Sequence, residues 1–139
     1  MKKYKGLIIM LMISLCLFGV CGCNGEKPKE NIIETKNSYE QITANQAKEL
    51  MEKETGYIII DARTQEEFDE GHIEGAILIP EYEISQRAEK ELPDKDQLIL
   101  VYCRSGRRSK IASQALVDLG YTNVKEFGGI IDWPYEIVV

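Results

Sequence analysis

The stretch Val101-Tyr102-Cys103-Arg104-Ser105-Gly106-Arg107-Arg108-Ser109-Lys110 sets a thiol at the end of an apolar run and gathers four cationic side chains behind it. A cysteine nucleophile works as its thiolate. Guanidinium groups or a helix N-terminus nearby lower a thiol from about 8.5 into the range of roughly 3.5–7.5. Gly106 permits a turn that a β-carbon would forbid. If the loop curls so that its N–H groups converge, they make an anion nest at the start of a helix. The segment reads as a device for holding negative charge, first on the Cys103 sulfur and then on a bound anion. The plainer alternative is a small buried cysteine beside a solvated basic surface.

These residues need a scaffold. From Tyr39 onward, helical and extended spacings alternate. Thr43 to Gln46 has the form of a capping box, with Ala47, Leu50 and Met51 behind it at helical spacing and Gly56 closing the helix. Tyr57 to Ile60 is a β-branched run of strand length. Thr64 to Glu67 is a second capping box, and it opens a short helix that Gly71 ends. Ala76 to Ile79 predicts a strand stopped by Pro80, and Tyr82 to Leu92 a helix with a weak apolar stripe. Gln97 to Tyr102 is the clearest strand, after a turn at Pro93 to Asp96. A helix is expected from Ser109 to Leu119, with Ile111, Ala112, Ala115, Leu116 and Leu119 on one face and Gly120 past its end. Asn123 to Phe127 is the last strand.

This alternation implies an α/β domain whose mostly parallel sheet is covered on both faces by helices. Cys103 then falls at the edge where ligands collect in open α/β sheets, and Cys103 to Arg108 reads as a tight loop. A reactive cysteine needs electropositive, partly exposed surroundings. Meeting them at a strand-to-helix junction favours the reactive reading over the plain one.

Three motifs in order then carry a family resemblance. They are Asp61-Ala62-Arg63-Thr64-Gln65-Glu66-Glu67-Phe68 with Gly71-His72-Ile73-Glu74-Gly75-Ala76, the Cys103 to Ser109 loop, and Gly128-Gly129 with Trp133. From Tyr39 to Trp133 the chain resembles the single-domain rhodaneses, the thiosulfate sulfurtransferases. The resemblance implies a five-stranded, mainly parallel sheet flanked by helices. It implies that Cys103 takes a sulfane sulfur from a small anionic donor such as thiosulfate, holds it as a persulfide, and passes it to cyanide or a thiol. That is ping-pong nucleophilic catalysis. It places the loop amides from Arg104 through Ser105, Gly106, Arg107 and Arg108 around the persulfide. Arg108 braces the loop, and Arg104 and Arg107 are candidates for attracting the donor. Neither metal nor cofactor is implied.

Loop length separates this chemistry from its nearest enzymatic rival. Phosphatases and arsenate reductases of related fold use C-x5-R, whereas here four residues separate Cys103 from Arg108 and position 109 is serine. The shorter loop leaves amide donors poorly placed for phosphate oxygens. A second alternative is a binding module in which the fold no longer catalyses, and the retained cysteine counts against it.

Other titratable residues take quieter roles. His72 stands in the Gly-His-Ile turn of the first motif and is expected to tie loop backbone together, because the arginine-and-amide setting already supplies what a base would. Asp61 and Arg63 flank one residue at a strand's end and are expected to pair with each other or brace nearby loops. Glu66, Glu67, Asp69 and Glu70 read as a solvated helix face, not a metal site, with Glu67 completing the capping box.

Ahead of the domain, expected over 39–139, lies a different kind of sequence. Met1 to Lys5 is basic and Leu7 to Val20 almost wholly apolar, too short to span a bilayer, which predicts a signal peptide over 1–22. Val20-Cys21-Gly22-Cys23 resembles the lipobox of bacterial lipoproteins, with Cys23 acylated, and 23–38 reads as a flexible polar tether. The implied protein is an extracytoplasmic, membrane-anchored lipoprotein, at the cell surface or in the periplasm, acting as a monomer. Loss of Lys2, Lys3 and Lys5 would take the 17 basic residues to 14 against 23 acidic ones, net −9. That balance argues against nucleic acid as a partner. Cys103 would be left as the lone free thiol.

Overall fold

Thr43 opens the first helix as its sequence predicts: its side chain accepts from the Gln46 amide, and the Gln46 side chain accepts from the Thr43 amide. This reciprocal cap starts α1 (Ala44–Lys53) in the computed structural model, which describes residues 38–139. Thr64 and Glu67 cap α2 (Gln65–Glu70) in the same way. Each cap satisfies two amides that a helix start leaves without partners. A 3-10 turn at Glu81–Glu83 leads into α3 (Ile84–Glu91), and α4 (Arg107–Asp118) follows the Cys103 loop.

The strands are β1 (Glu40–Gln41), β2 (Ile58–Asp61), β3 (Ala76–Leu78), β4 (Ile99–Cys103) and β5 (Val124–Gly129). They form one five-stranded sheet in the order β1-β5-β4-β2-β3, and every pairing is parallel. The expected α/β architecture is present. Side-chain alternation along a strand sorts the core into two layers. Ile99, Val101 and Cys103 of β4 face Ala88 and Leu92 near α3 and Ala112 and Leu116 of α4. Leu100 and Tyr102 face the other way, toward Ala47 of α1, Phe127 and Trp133. All five residues of β4 are buried, so both faces of the central strand are covered.

Some boundaries differ from the sequence reading. α4 begins at Arg107 rather than Ser109, so Arg107 and Arg108 are helical and the loop proper is Arg104 to Gly106. A helix's first turn can be wholly polar when its free amides face a loop, and the apolar stripe then starts late. The helix expected from Tyr82 begins as the 3-10 turn. β1 carries no periodic signal in its two residues; it is held by its ladder to Lys125 and Glu126 and by Ile42 N–H donating to the Glu126 carbonyl at 2.9 Å. The leader, Cys23 and the tether up to residue 37 lie outside the described residues. Among those described, no helix is long and apolar enough to cross a membrane.

Candidate active site

Cys103 ends β4 with 1% of its surface exposed. Apolar side chains cover it on one side, yet its sulfur is not left to them. Gly106 N–H donates to Cys103 Sγ at 3.1 Å. Gly106 reaches that position with a left-handed φ of +95°, which a residue with a β-carbon adopts only under strain. Burial pushes the Cys103 thiol up, but the Ser109 hydroxyl and the amides of Ser109, Ser105 and Gly106 outweigh it and hold the thiol below its ordinary value. Hydrogen bonds to the charged form are what make a buried thiolate tolerable.

The close fit of this loop depends on a glycine across the sheet. Gly129 pairs with Cys103 in the β4–β5 ladder, and a β-carbon there would stand 2.1 Å from the Arg104 carbonyl oxygen. Only a residue without a side chain lets the loop backbone pass.

Arg108 forms a bidentate pair with Glu67, Nη1 to Oε2 at 2.6 Å and Nη2 to Oε1 at 2.8 Å. The loop-helix junction is thereby fastened to α2. Arg104, Ser105 and Arg107 are exposed at the loop's mouth, and among the described residues neither arginine forms an ion pair. They supply unneutralised positive charge where an anion would arrive.

Asp61 and Arg63 pair with each other, both buried, with Arg63 Nη2 to Asp61 Oδ2 at 2.6 Å. Arg63 also donates to the Gly71 carbonyl at 2.7 Å, and Tyr102 Oη donates to Asp61 Oδ2 at 2.6 Å while accepting from Ile73 N–H at 3.2 Å. Burial first, and then the neighbouring Asp61 carboxylate, raise the Tyr102 hydroxyl well above its ordinary value. His72 stacks on Phe68 with ring centroids 3.7 Å apart, and its Nδ1 lies 3.0 Å from the Phe68 carbonyl. Its backbone bridges Val138 in both directions at 2.8 Å. Asp61, Arg63 and His72 are thus assembled around the Gly71–Ile73 turn and not at the sulfur.

Four residues at or near the site make contacts that the sequence alone does not indicate. Glu67 was read as a cap and also holds Arg108. Ser109 follows that arginine closely enough to have been suspected from the loop itself. Tyr102 and Glu126 look in sequence like ordinary strand residues. A groove lined by Met51, Tyr57, Ile73, Trp133 and Tyr135 belongs to the opposite face of the sheet and includes no residue of the Cys103 loop.

Residues 43–134 match the family described as Rhodanese-like domain. The chain belongs to the rhodanese-like family. Among curated proteins, this rhodanese-like chain is 41% identical over 73 residues to the thiosulfate sulfurtransferase PspE of Escherichia coli, covering 52% of this chain and 70% of that protein. It is 34% identical over 96 residues to the thiosulfate sulfurtransferase GlpE of Coxiella burnetii, covering 68% and 87% respectively. A solved structure described as a rhodanese with anions from E. coli superposes with a TM-score of 0.57 at 37% identity, covering 60% of this chain and 98% of that one. Rhodanese-type sulfur transfer is the general activity that the family and these relatives support.

Proposed function

We propose that this chain moves sulfane sulfur from thiosulfate or a similar small anionic donor to cyanide or a thiol through a persulfide on Cys103. The observation that carries the reading is the Gly106 amide aimed at Cys103 Sγ at 3.1 Å, at the head of α4. A thiolate held this way attacks the outer sulfur of thiosulfate. The new S–S bond forms, the bond to the sulfonate sulfur breaks, and sulfite leaves with that electron pair. The persulfide's terminal sulfur is again a monoanion, so the amides of Ser105, Gly106 and Ser109 that favour the thiolate favour the intermediate as well. Cyanide then attacks the outer sulfur, thiocyanate departs, and the Cys103 thiolate is restored. Arg104 and Arg107 draw the donor to the mouth, and Arg108, tied to Glu67, keeps the loop in shape. Because Cys103 is 1% exposed, a slender donor is favoured over a bulky one.

With thiosulfate and cyanide, the wild-type chain releases thiocyanate and Cys103→Ala releases none. Intact mass after donor treatment rises by one sulfur atom. A wild-type chain that never gains that mass would return the fold to a binding role. The reading also places the protein outside the cytoplasm, monomeric and held at a membrane surface by acylated Cys23.

A further inference from the structure

Cys103 is 1% exposed, but the surface around it is not featureless. Apart from Val139, the most exposed large apolar side chains of the described residues are Tyr82 at 65% and Ile131 at 63%. Both are fastened to the neighbours of Cys103. Ile131 N–H donates to the Arg104 carbonyl at 3.3 Å. On the other side, Glu81 N–H donates to the Ala62 carbonyl at 3.2 Å, and Ala62 N–H to the Tyr102 carbonyl at 2.9 Å. The 3-10 turn bearing Tyr82 is thereby set against the end of β2, while β5 leads into Ile131. Since β4 runs between β5 and β2, the two apolar side chains flank the nucleophile. Scattered exposed apolar residues are ordinary, but apolar side chains gathered about one site mark an interaction surface.

Between them lies positive charge. Arg104, Arg107 and Lys110 are exposed, and among the described residues none of them forms an ion pair. Arg107 and Lys110 stand three apart on α4 and share a face. Negative charge stands at the flanks, on Glu81 and Asp132, the chain neighbours of the apolar pair. The whole chain carries 23 acidic against 17 basic residues. An acidic partner is repelled by an acidic molecule as a whole and attracted at this one place, which selects both site and orientation. A donor as small as thiosulfate needs no apolar flank. A macromolecule does, because a protein interface combines an apolar centre with matched polar groups.

We propose that this surface docks a protein sulfur acceptor whose cysteine stands on a protruding acidic segment with apolar residues beside it. The inference rests on Cys103 carrying the persulfide. The partner's thiolate attacks the outer sulfur, the S–S bond to Cys103 breaks, and its electron pair restores the Cys103 thiolate while the partner leaves as a persulfide. A sulfur buried this deeply is reached only by a narrow projection, so the partner's cysteine belongs on a loop tip or a chain end. Its acids face Arg104, Arg107 and Lys110, and its apolar residues cover Tyr82 and Ile131.

The probes are synthetic peptides ending in cysteine: one acidic and leucine-bearing, one with lysine for each acid, and one with serine for each leucine. Their serine-for-cysteine analogues report docking to the full chain by fluorescence anisotropy, with no sulfur transfer required. The acidic, leucine-bearing analogue should bind about tenfold more tightly than either counterpart and lose affinity as salt rises. From the thiosulfate-loaded chain, its cysteine form should gain one sulfur atom faster than the others, read by mass spectrometry. Tyr82→Asp with Ile131→Asp should weaken that docking about tenfold and leave thiocyanate release unchanged, because cyanide needs no docking surface. Equal binding of the three analogues, or a double variant that docks the acidic one as wild type does, overturns the proposal. So does a dimer in sedimentation equilibrium, or binding to phosphatidylglycerol vesicles, that the double variant abolishes; the surface then belongs to a second copy or to a membrane. Should the double variant fail to fold, the ranking of analogues on the wild-type chain decides alone. Docking in that order with no sulfur gained by Cys103 removes the transfer reading and keeps the surface, and thiocyanate release without that order does the reverse.

Discussion

Glu67 serves two masters with one carboxylate. It accepts from the Thr64 amide to close the α2 cap and takes both guanidinium nitrogens of Arg108. The Arg108 hydrogen bonds are the main reason its carboxyl falls to about 2 from an ordinary 4.5, against the opposing effect of burial. A carboxyl depressed on folding stabilises the native state above its unfolded value and loses that contribution as pH falls through the folded one. The urea midpoint of the wild-type chain should therefore decline between about 4.5 and about 2, and Glu67→Gln should flatten that part of the curve. Residue-scale legibility follows the same line. Asp61 and Arg63 stand two apart, so their pairing could be read locally. Tyr102 meets Asp61 across 41 residues, and Ser109 meets Glu126 across 17. Such partners emerge from strand register, which no local pattern encodes. A glutamate in a strand looks outward-facing by default, and only the packing of α4 shows that Glu126 is not.

Elements set how accurately the loop is placed. Gly129→Ala puts a carbon 2.1 Å from the Arg104 carbonyl oxygen, and both partners are backbone, so one of them must move. Displacement of a reacting group by about 1 Å costs on the order of 10²-fold in rate. Thiocyanate release by Gly129→Ala should fall by about that factor, while far-UV circular dichroism stays near wild type; unchanged turnover would show that the loop tolerates the intrusion. The caps of α1 and α2 were legible because Thr43 with Gln46 and Thr64 with Glu67 are complete within four residues. The start of α4 was not, because Arg107 and Arg108 lie outside its apolar stripe and helix starts need no hydrophobic signal. β1 is too short to show a period at all.

At the scale of the molecule, the buried β4 is flanked by β5 and β2, and Cys103 emerges at its C-terminal end, where open parallel sheets collect ligands. Strand-helix alternation predicts a mostly parallel sheet, since parallel neighbours need crossover connections, and all its strand pairings are parallel. The membrane reading belongs to the N-terminal stretch. Cys23→Ala should leave the precursor at its uncleaved mass in cells, and normal processing of that variant would remove the lipid anchor from the account.

The strand order has a consequence for how such a chain matures. Glu40 and Gln41 find their ladder at Lys125 and Glu126, so the first of the described strands to leave the ribosome waits for the last of them. A nascent chain halted before Val124 lacks both the berth for its own beginning and the neighbour whose bare backbone makes room for the sulfur loop. Edge closure and assembly of the reactive centre thus await the same late segment, and premature termination there should yield an inert polypeptide rather than a sluggish enzyme.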